Sequence, residues 1–222
     1  MPLKLVIGLK NYSSWSLRPW MLLKHLDLAF EEIPLEHYGD GYRAQIAKYS
    51  PAGRVPVLVD GDIPIWDSLA IVEHLAEKTG RGWPKQPAAR ALARSISAEM
   101  HSGFTALRSQ CSMNIRATGR RVELTPDLKR DVERIDEIWR DARERFGSGG
   151  PWLFGDYSIA DAMYAPVVTR FNTYGFEVSS ISRAYMRTVL EDPAFKEWAR
   201  AAEVETFRNP VTDAIGLPKN QA

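Results

Sequence analysis

The sequence predicts an α/β segment with a mixed sheet, followed by an all-helical bundle. Three observations predict it. Strand-like patterns are confined to the first third of the chain. A stretch rich in glycine, proline and charge follows at residues 79–87, and beyond it apolar residues recur only at helical spacing.

Residues 3–8 form a short apolar run, readable as a buried strand, that ends in Lys10-Asn11-Tyr12-Ser13-Ser14. A helical pattern comes next, with Leu17, Trp20, Met21, Leu22, Leu23 and Leu26 on one broad face. Residues 30–37 read as a second strand, and Pro34 suits an edge position because it cannot donate to a ladder. Gly39-Asp40-Gly41 reads as a loop, and residues 43–49 hold at most a short helix. After the turn Ser50-Pro51-Ala52-Gly53-Arg54, the apolar Val55-Pro56-Val57-Leu58-Val59 leads into Asp60-Gly61-Asp62, the strongest hairpin signal in the chain. Residues 63–66 supply the return strand, and Asp67-Ser68 opens a helix over residues 69–78. The order β-α-β, a turn-rich crossing, then β-β-α is that of a thioredoxin-like domain. Helices are expected at residues 88–106, 128–146, 158–169, 181–189 and 192–202, so the domains are read as 1–80 and 88–222.

The 222 residues suit one large domain or two small ones. A hydrophobic fraction of 45% is that of an ordinary globular chain. With 29 Lys and Arg against 28 acids, no global basic field points to nucleic acid or a membrane surface. No apolar run approaches the roughly 20 residues that span a bilayer, and the N-terminus turns polar too soon for a signal peptide. The single cysteine, Cys111, gives neither an internal disulfide nor a metal cluster, and reads as a buried structural thiol. His25, His37, His74 and His101 show no metal spacing, and the seven tryptophans suit the core and the domain interface. The expectation is a cytoplasmic protein without a metal.

Three constellations carry chemistry. Asn11 to Trp20 passes from a strand end into a helix N-terminus, where hydroxyls either cap the helix or donate to an anion held by the helix dipole. A thiolate is such an anion, and the same field lowers a bound thiol's pKa from about 8.5. Val55-Pro56 precedes a strand. It is either an edge proline or a cis peptide that offers its backbone to a peptide-like ligand. Asp67-Ser68 opens a helix, either as a cap or as a reader of an amino-acid head group: Ser68 for a carboxylate, Asp67 for an ammonium.

In this order and spacing, these stretches and Gly155-Asp156-Tyr157-Ser158-Ile159-Ala160-Asp161-Ala162 resemble the cytosolic glutathione transferase family over nearly the whole chain. The last stretch looks like the family's buried capping box, with Ser158 as cap and Asp161 reaching back to the backbone. The resemblance implies a thioredoxin-like glutathione-binding domain, an all-α electrophile-binding domain and a two-fold homodimer. The serines suggest the serine-type group, similar to the theta and zeta classes. Ser13 is then the thiol partner and Ser14 the helix cap, with the two open to exchange and Tyr12 third. Val55, before a cis Pro56, would pair with the cysteinyl backbone. Asp67, where the family usually has glutamate, and Ser68 would hold the γ-glutamyl end. Arg54 or Lys48 would serve the glycyl carboxylate, ahead of Arg43.

The electrophile pocket is expected from Met100, Phe104, Met113, Arg116 and Tyr164, with Asn114 beside them. The leading expectation is conjugation of glutathione, as co-substrate, to small electrophiles, or its use in reducing peroxides. A glutathione-dependent cis-trans isomerase of the maleylacetoacetate type and a non-catalytic binding or dimerisation module are the alternatives. The zeta-type Ser-Ser-Cys is Ser13-Ser14-Trp15 here, which weakens the isomerase reading. A thiol-disulfide exchanger needs a junction cysteine that this chain lacks.

Overall fold

The computed structural model describes residues 2–35 and 40–217. The first strand, β1 (Leu3–Ile7), is apolar throughout except Lys4 and occupies the middle of the sheet. β2 (Phe30–Pro34) pairs with it in parallel, Leu3 opposite Phe30 and Ile7 opposite Pro34. β3 (Val57–Asp60) pairs with it antiparallel on the other side, Leu5 opposite Leu58, and β4 (Ile63–Ile65) completes the order β2-β1-β3-β4. This is the mixed sheet expected of a thioredoxin-like domain. The two strand prolines, Pro34 and Pro64, both fall on edge strands, where the missing N–H breaks no ladder. The expected hairpin turns at Gly61, whose φ of 65° suits a residue without a side chain.

α1 (Ser14–His25) connects β1 to β2, and its apolar face packs on the sheet. α2 (Asp40–Ile46) starts inside the stretch read as a loop. Of the remainder of the strand expected over 30–37, Leu35 lies past the end of β2, and residues 36–37, His37 included, lie outside the described residues. α3 (Ser68–Thr79) has Asp67 as its cap and ends at Gly80, whose φ is 66°.

After the linker come α4 (Pro87–Ser102), α5 (Thr105–Gln110), α6 (Pro126–Phe146), α7 (Ile159–Tyr174), α8 (Ser180–Glu191), α9 (Pro193–Val204) and α10 (Pro210–Ala214). The helix expected over 88–106 is two. Gly103 ends the first, and Phe104 sits in the left-handed region at φ 54°, so the chain turns before α5 begins. α7 is buried along almost its whole length and packs against both α1 and α4, joining the sheet half to the bundle. Its N-terminus is closed as expected: Asp161 accepts from the Ser158 backbone N–H and hydroxyl, both at 2.8 Å, and from the Leu153 N–H at 3.0 Å. The segment after α9, together with α10, folds back over the residues that follow β1, an arrangement with no periodic signal in the sequence.

Candidate functional site

The site grows from three backbone junctions on one side of the sheet. At the first, β1 ends and the chain turns through Leu9 to enter α1 at Ser13. Ser13 is the N-cap residue, yet its hydroxyl makes no capping bond. Ser13 Oγ lies 2.8 Å from Ser16 Oγ instead, and Ser16 Oγ accepts from the Gly8 N–H at 3.1 Å. Ser14 is not the cap expected of it. It is the first helical residue, and its Oγ accepts from Arg170 Nη2 of α7 at 3.4 Å. The two serines therefore face different halves of the molecule.

The second junction is Val55-Pro56, whose peptide bond is cis, directly before β3. Val55 lies close to Ser13: a Cβ placed on Gly8 would stand 3.2 Å from both Ser13 Oγ and Val55 Cγ2. The third junction is the start of α3. Asp67 Oδ1 accepts from the Leu69 N–H at 3.0 Å, so it is a cap, while Oδ2 lies 2.8 Å from His101 Nε2 of α4. Ser68 Oγ is buried and has no hydrogen-bond partner. Burying a hydroxyl without a partner costs about 1–3 kcal/mol.

A cavity of about 440 Å³ brings Arg54, Val55, Pro56, Asp67 and Ser68 together. All five expected binding residues line it, whereas Ser13 and Ser14 are not among its lining residues; Trp15, Trp66, His101 and Arg108 line it as well. Those four were not singled out as binding residues. Trp15 and Trp66 carry no spacing signal, and His101 and Arg108 arrive from α4 and α5 across a fold that sequence order does not reveal. Trp15 is held between guanidinium groups, with Arg18 4.1 Å and Arg108 5.2 Å from its ring centre. Lys48 and Arg43 are exposed and do not line the cavity.

Positive charge surrounds the start of α1. Arg18 and Arg170 are both buried. Burial, then repulsion from Arg170 and Arg108, brings Arg18 down to about 9, and burial brings Arg170 down to about 10. Both stay charged at neutral pH, beside the positive end of the helix dipole. Arg170 is held by the carbonyls of Cys111 and Pro166, and Arg18 by that of Met163. Cys111 itself is buried, and burial pushes its thiol up to about 12, as a structural residue requires.

The residues expected to receive an electrophile do not assemble around this cavity. Tyr164 is fully buried in α7 and donates to the Ile96 carbonyl, and Met100 and Met113 are core residues. Arg116 donates to the carbonyls of Glu205 and Phe207 and to Tyr12 Oη, while Asn114 donates to Asp213. Tyr12 Oη in turn bonds the Asp213 carboxylate and accepts from the Asn209 N–H. Arg116, Asn114 and Tyr12 are thus occupied in fastening the C-terminal segment. A second concavity of about 430 Å³ lies between that segment and the end of β1, lined among others by Gly8, Leu9, Lys10, Val204 and Phe207.

Two family models match this chain: that of the glutathione S-transferase N-terminal domain over residues 12–78, and that of the C-terminal domain over residues 125–201. The chain belongs to the glutathione S-transferase family. It is 26% identical to glutathione S-transferase 1 of Dianthus caryophyllus over 189 residues, covering 78% of this chain and 82% of that protein. Against glutathione S-transferase Z1 of Arabidopsis thaliana it is 41% identical over 86 residues, 36% of each chain. Among solved structures, a glutathione transferase homolog from Burkholderia with bound glutathione superposes with a TM-score of 0.68 at 22% identity, covering 91% of this chain and 99% of that one. The transferase fold is therefore common to both. Among the described residues no helix is long and apolar enough to cross a membrane, and no group of three or more metal-ligating side chains occurs.

Proposed function

We propose that the chain is a glutathione transferase that joins the glutathione sulfur to small electrophiles, with Ser13 as the hydroxyl that stabilises the thiolate. The observation that carries the reading is the orphaned Ser68 hydroxyl, buried in one cavity with Asp67, Arg54 and Val55. The kinds of group gathered there, a hydroxyl, a carboxylate, a cation and a free backbone, suit a γ-linked tripeptide. Ser68 and the N-terminus of α3 receive the γ-glutamyl carboxylate, and Asp67 receives the ammonium while keeping its bond to the Leu69 N–H. Val55 pairs with the cysteinyl backbone, and Arg54 meets the glycyl carboxylate.

The cysteinyl sulfur then falls near Val55, on the side where Ser13 Oγ stands. Ser13 donates a hydrogen bond to the sulfur, and the dipole of α1 with the Arg18 and Arg170 charges favours the anion. The thiol proton leaves to solvent; no residue need keep it. Sulfur attacks an electrophilic carbon, the S–C bond forms, and the leaving group departs with its bonding pair. Residues 1–80 supply the glutathione-reading groups, with His101 and Arg108 of the helical domain (88–222) on the same cavity, and the electrophile is received by the helical domain beside it, in a cytoplasmic homodimer.

The test is a titration of glutathione into wild type, Ser13→Ala and Ser14→Ala, following the ultraviolet absorbance of bound thiolate. A thiolate signal in wild type and in Ser14→Ala, absent from Ser13→Ala that still binds glutathione, is the expected result. No binding to wild type would remove the function.

A further inference from the structure

We propose that Ser16 is a positioning residue for Ser13, turning the Ser13 hydroxyl proton toward the bound sulfur through a three-membered chain that starts at the Gly8 backbone. The inference rests on the transferase reading above and extends it to a residue outside the cavity.

Ser16 is fully buried on the first turn of α1, and two partners meet its oxygen. The Gly8 N–H donates to it at 3.1 Å, and Ser13 Oγ stands 2.8 Å away. A hydroxyl has one proton and two acceptor positions. The Gly8 N–H can only donate, so it fills one acceptor position of Ser16. Between the two hydroxyl oxygens only one proton fits, although the pair owns two. With Ser13 donating to Ser16, the Ser16 proton finds no other acceptor among the described residues. With Ser16 donating to Ser13, the Ser13 proton is the one released and free to rotate, on an oxygen that stands near Val55 and Gly8, where the sulfur is placed.

An anionic sulfur beside Ser13 therefore selects the second arrangement. Every proton then has an acceptor: Gly8 N–H to Ser16, Ser16 to Ser13, Ser13 to sulfur. Aligned donors of this kind polarise one another, so the last one, at the sulfur, is strengthened. Ser14 has no part in the chain, because its oxygen faces Arg170. No proton changes owner in the chain; the thiol proton goes to solvent.

The experiment compares wild type, Ser16→Ala and Ser16→Thr by the pH titration of bound glutathione thiolate absorbance. Binding of S-methylglutathione, which has no thiol to ionise, is measured on the same samples. Ser16→Ala is expected to raise the pH at which the bound thiol ionises by about one unit, a tenfold loss of thiolate near neutrality. Its kcat falls in step while KM for glutathione and the affinity for S-methylglutathione stay within about threefold. Ser16→Thr, which keeps the hydroxyl, restores the wild-type titration. A wild-type midpoint in Ser16→Ala overturns the proposal, and so does a parallel loss of S-methylglutathione binding, which marks a merely structural serine. Absence of any thiolate in wild type overturns the proposal together with the transferase reading, whereas a thiolate in wild type that Ser16→Ala leaves unchanged overturns the proposal alone.

Discussion

Two of the helices that begin at serine, α1 and α7, use it in opposite ways. At the start of α7 the polar groups close on each other: Asp161 gathers the Ser158 N–H, the Ser158 hydroxyl and the Leu153 N–H. At the start of α1, Ser13 occupies the cap position without capping: the Ser13 and Ser16 hydroxyls bond to each other, Ser16 also accepts from the Gly8 N–H, and Ser14 accepts from Arg170. The first arrangement uses hydrogen bonds for stability. The second leaves the positive end of a helix dipole without its own side-chain cap, which is the condition under which it can hold someone else's anion. Serine at a helix start is therefore not one signal but two, separated by what the neighbouring side chains offer.

Breaking the α7 side should cost the most. Asp161→Ala orphans buried donors that have no water to turn to, and a loss of about 3–5 kcal/mol is expected. Burial pushes the Asp161 carboxyl up to about 6 from its ordinary 3.8, against the hydrogen bonds that hold it. The folded state thus binds that proton more tightly than the unfolded one, and the carboxyl's contribution grows as pH falls from about 6 toward 3.8. Denaturation of wild type and Asp161→Ala between pH 7 and 4 should show the gap widening on acidification. A gap independent of pH would show that Asp161 carries no raised pKa.

The mirror experiment on α1 should move activity and leave stability alone. Removing one preorganised donor to a developing or bound anion costs about 10²-fold in kcat, so Ser13→Ala should lose about that much in conjugation of glutathione to a nitroaryl halide. Because Ser13 makes no capping bond, the melting temperature should shift by no more than a few degrees. A large stability loss with unchanged kcat would make the two helix starts alike and dissolve the contrast.

A third helix start sharpens it further. Asp192 caps α9 through the Phe195 N–H at 3.0 Å and lies 3.2 Å from His25 Nε2 of α1. Burial alone would raise its pKa, but the His25 and backbone hydrogen bonds outweigh that and hold it below the ordinary 3.8. Its contribution is therefore present above 3.8 and lost as pH falls through the lower folded value, the reverse of Asp161. Asp192→Ala should cost about 1–2 kcal/mol near neutrality, with the gap to wild type closing in strong acid. Thermal melts at pH 7 and near pH 3 test it.

The contrast also explains what could be read from the sequence. The sheet, the hairpin at Gly61 and the cavity residues Arg54, Val55, Asp67 and Ser68 were legible because each sits at a local junction marked by turn or cap chemistry. The different surroundings of Ser13 and Ser14 were only half legible. They depend on Arg170, 156 residues further along the chain. The partners of Arg116 and Tyr164 were not legible for the same reason: a polar side chain shows its type in the sequence, not its partner. Arg116 found the carbonyls of the C-terminal segment and Tyr164 the carbonyl of Ile96. Gly103 marked the break between α4 and α5, but a lone glycine inside a helical pattern is tolerated, and the left-handed Phe104 that completes the turn carries no signal of its own, so two helices were read as one.

The smallest expected effect is the one that decides between neighbours. Ser14 Oγ meets Arg170 Nη2 at 3.4 Å, long for a charge-assisted bond, and Arg170 keeps firmer hydrogen bonds of 2.8 and 2.9 Å to the Cys111 and Pro166 carbonyls. Losing the Ser14 hydroxyl thus leaves the guanidinium held and charged, with its field on α1 intact. Ser14→Ala should then keep the thiolate titration of wild type to within a few tenths of a pH unit, and kcat to within about threefold, equivalent to roughly 0.7 kcal/mol. The bound-thiolate absorbance reads this directly. A loss as deep as that of Ser13→Ala would mean that the sulfur lies on the α7 side of the turn, against Arg170, and the two serines would have to exchange roles.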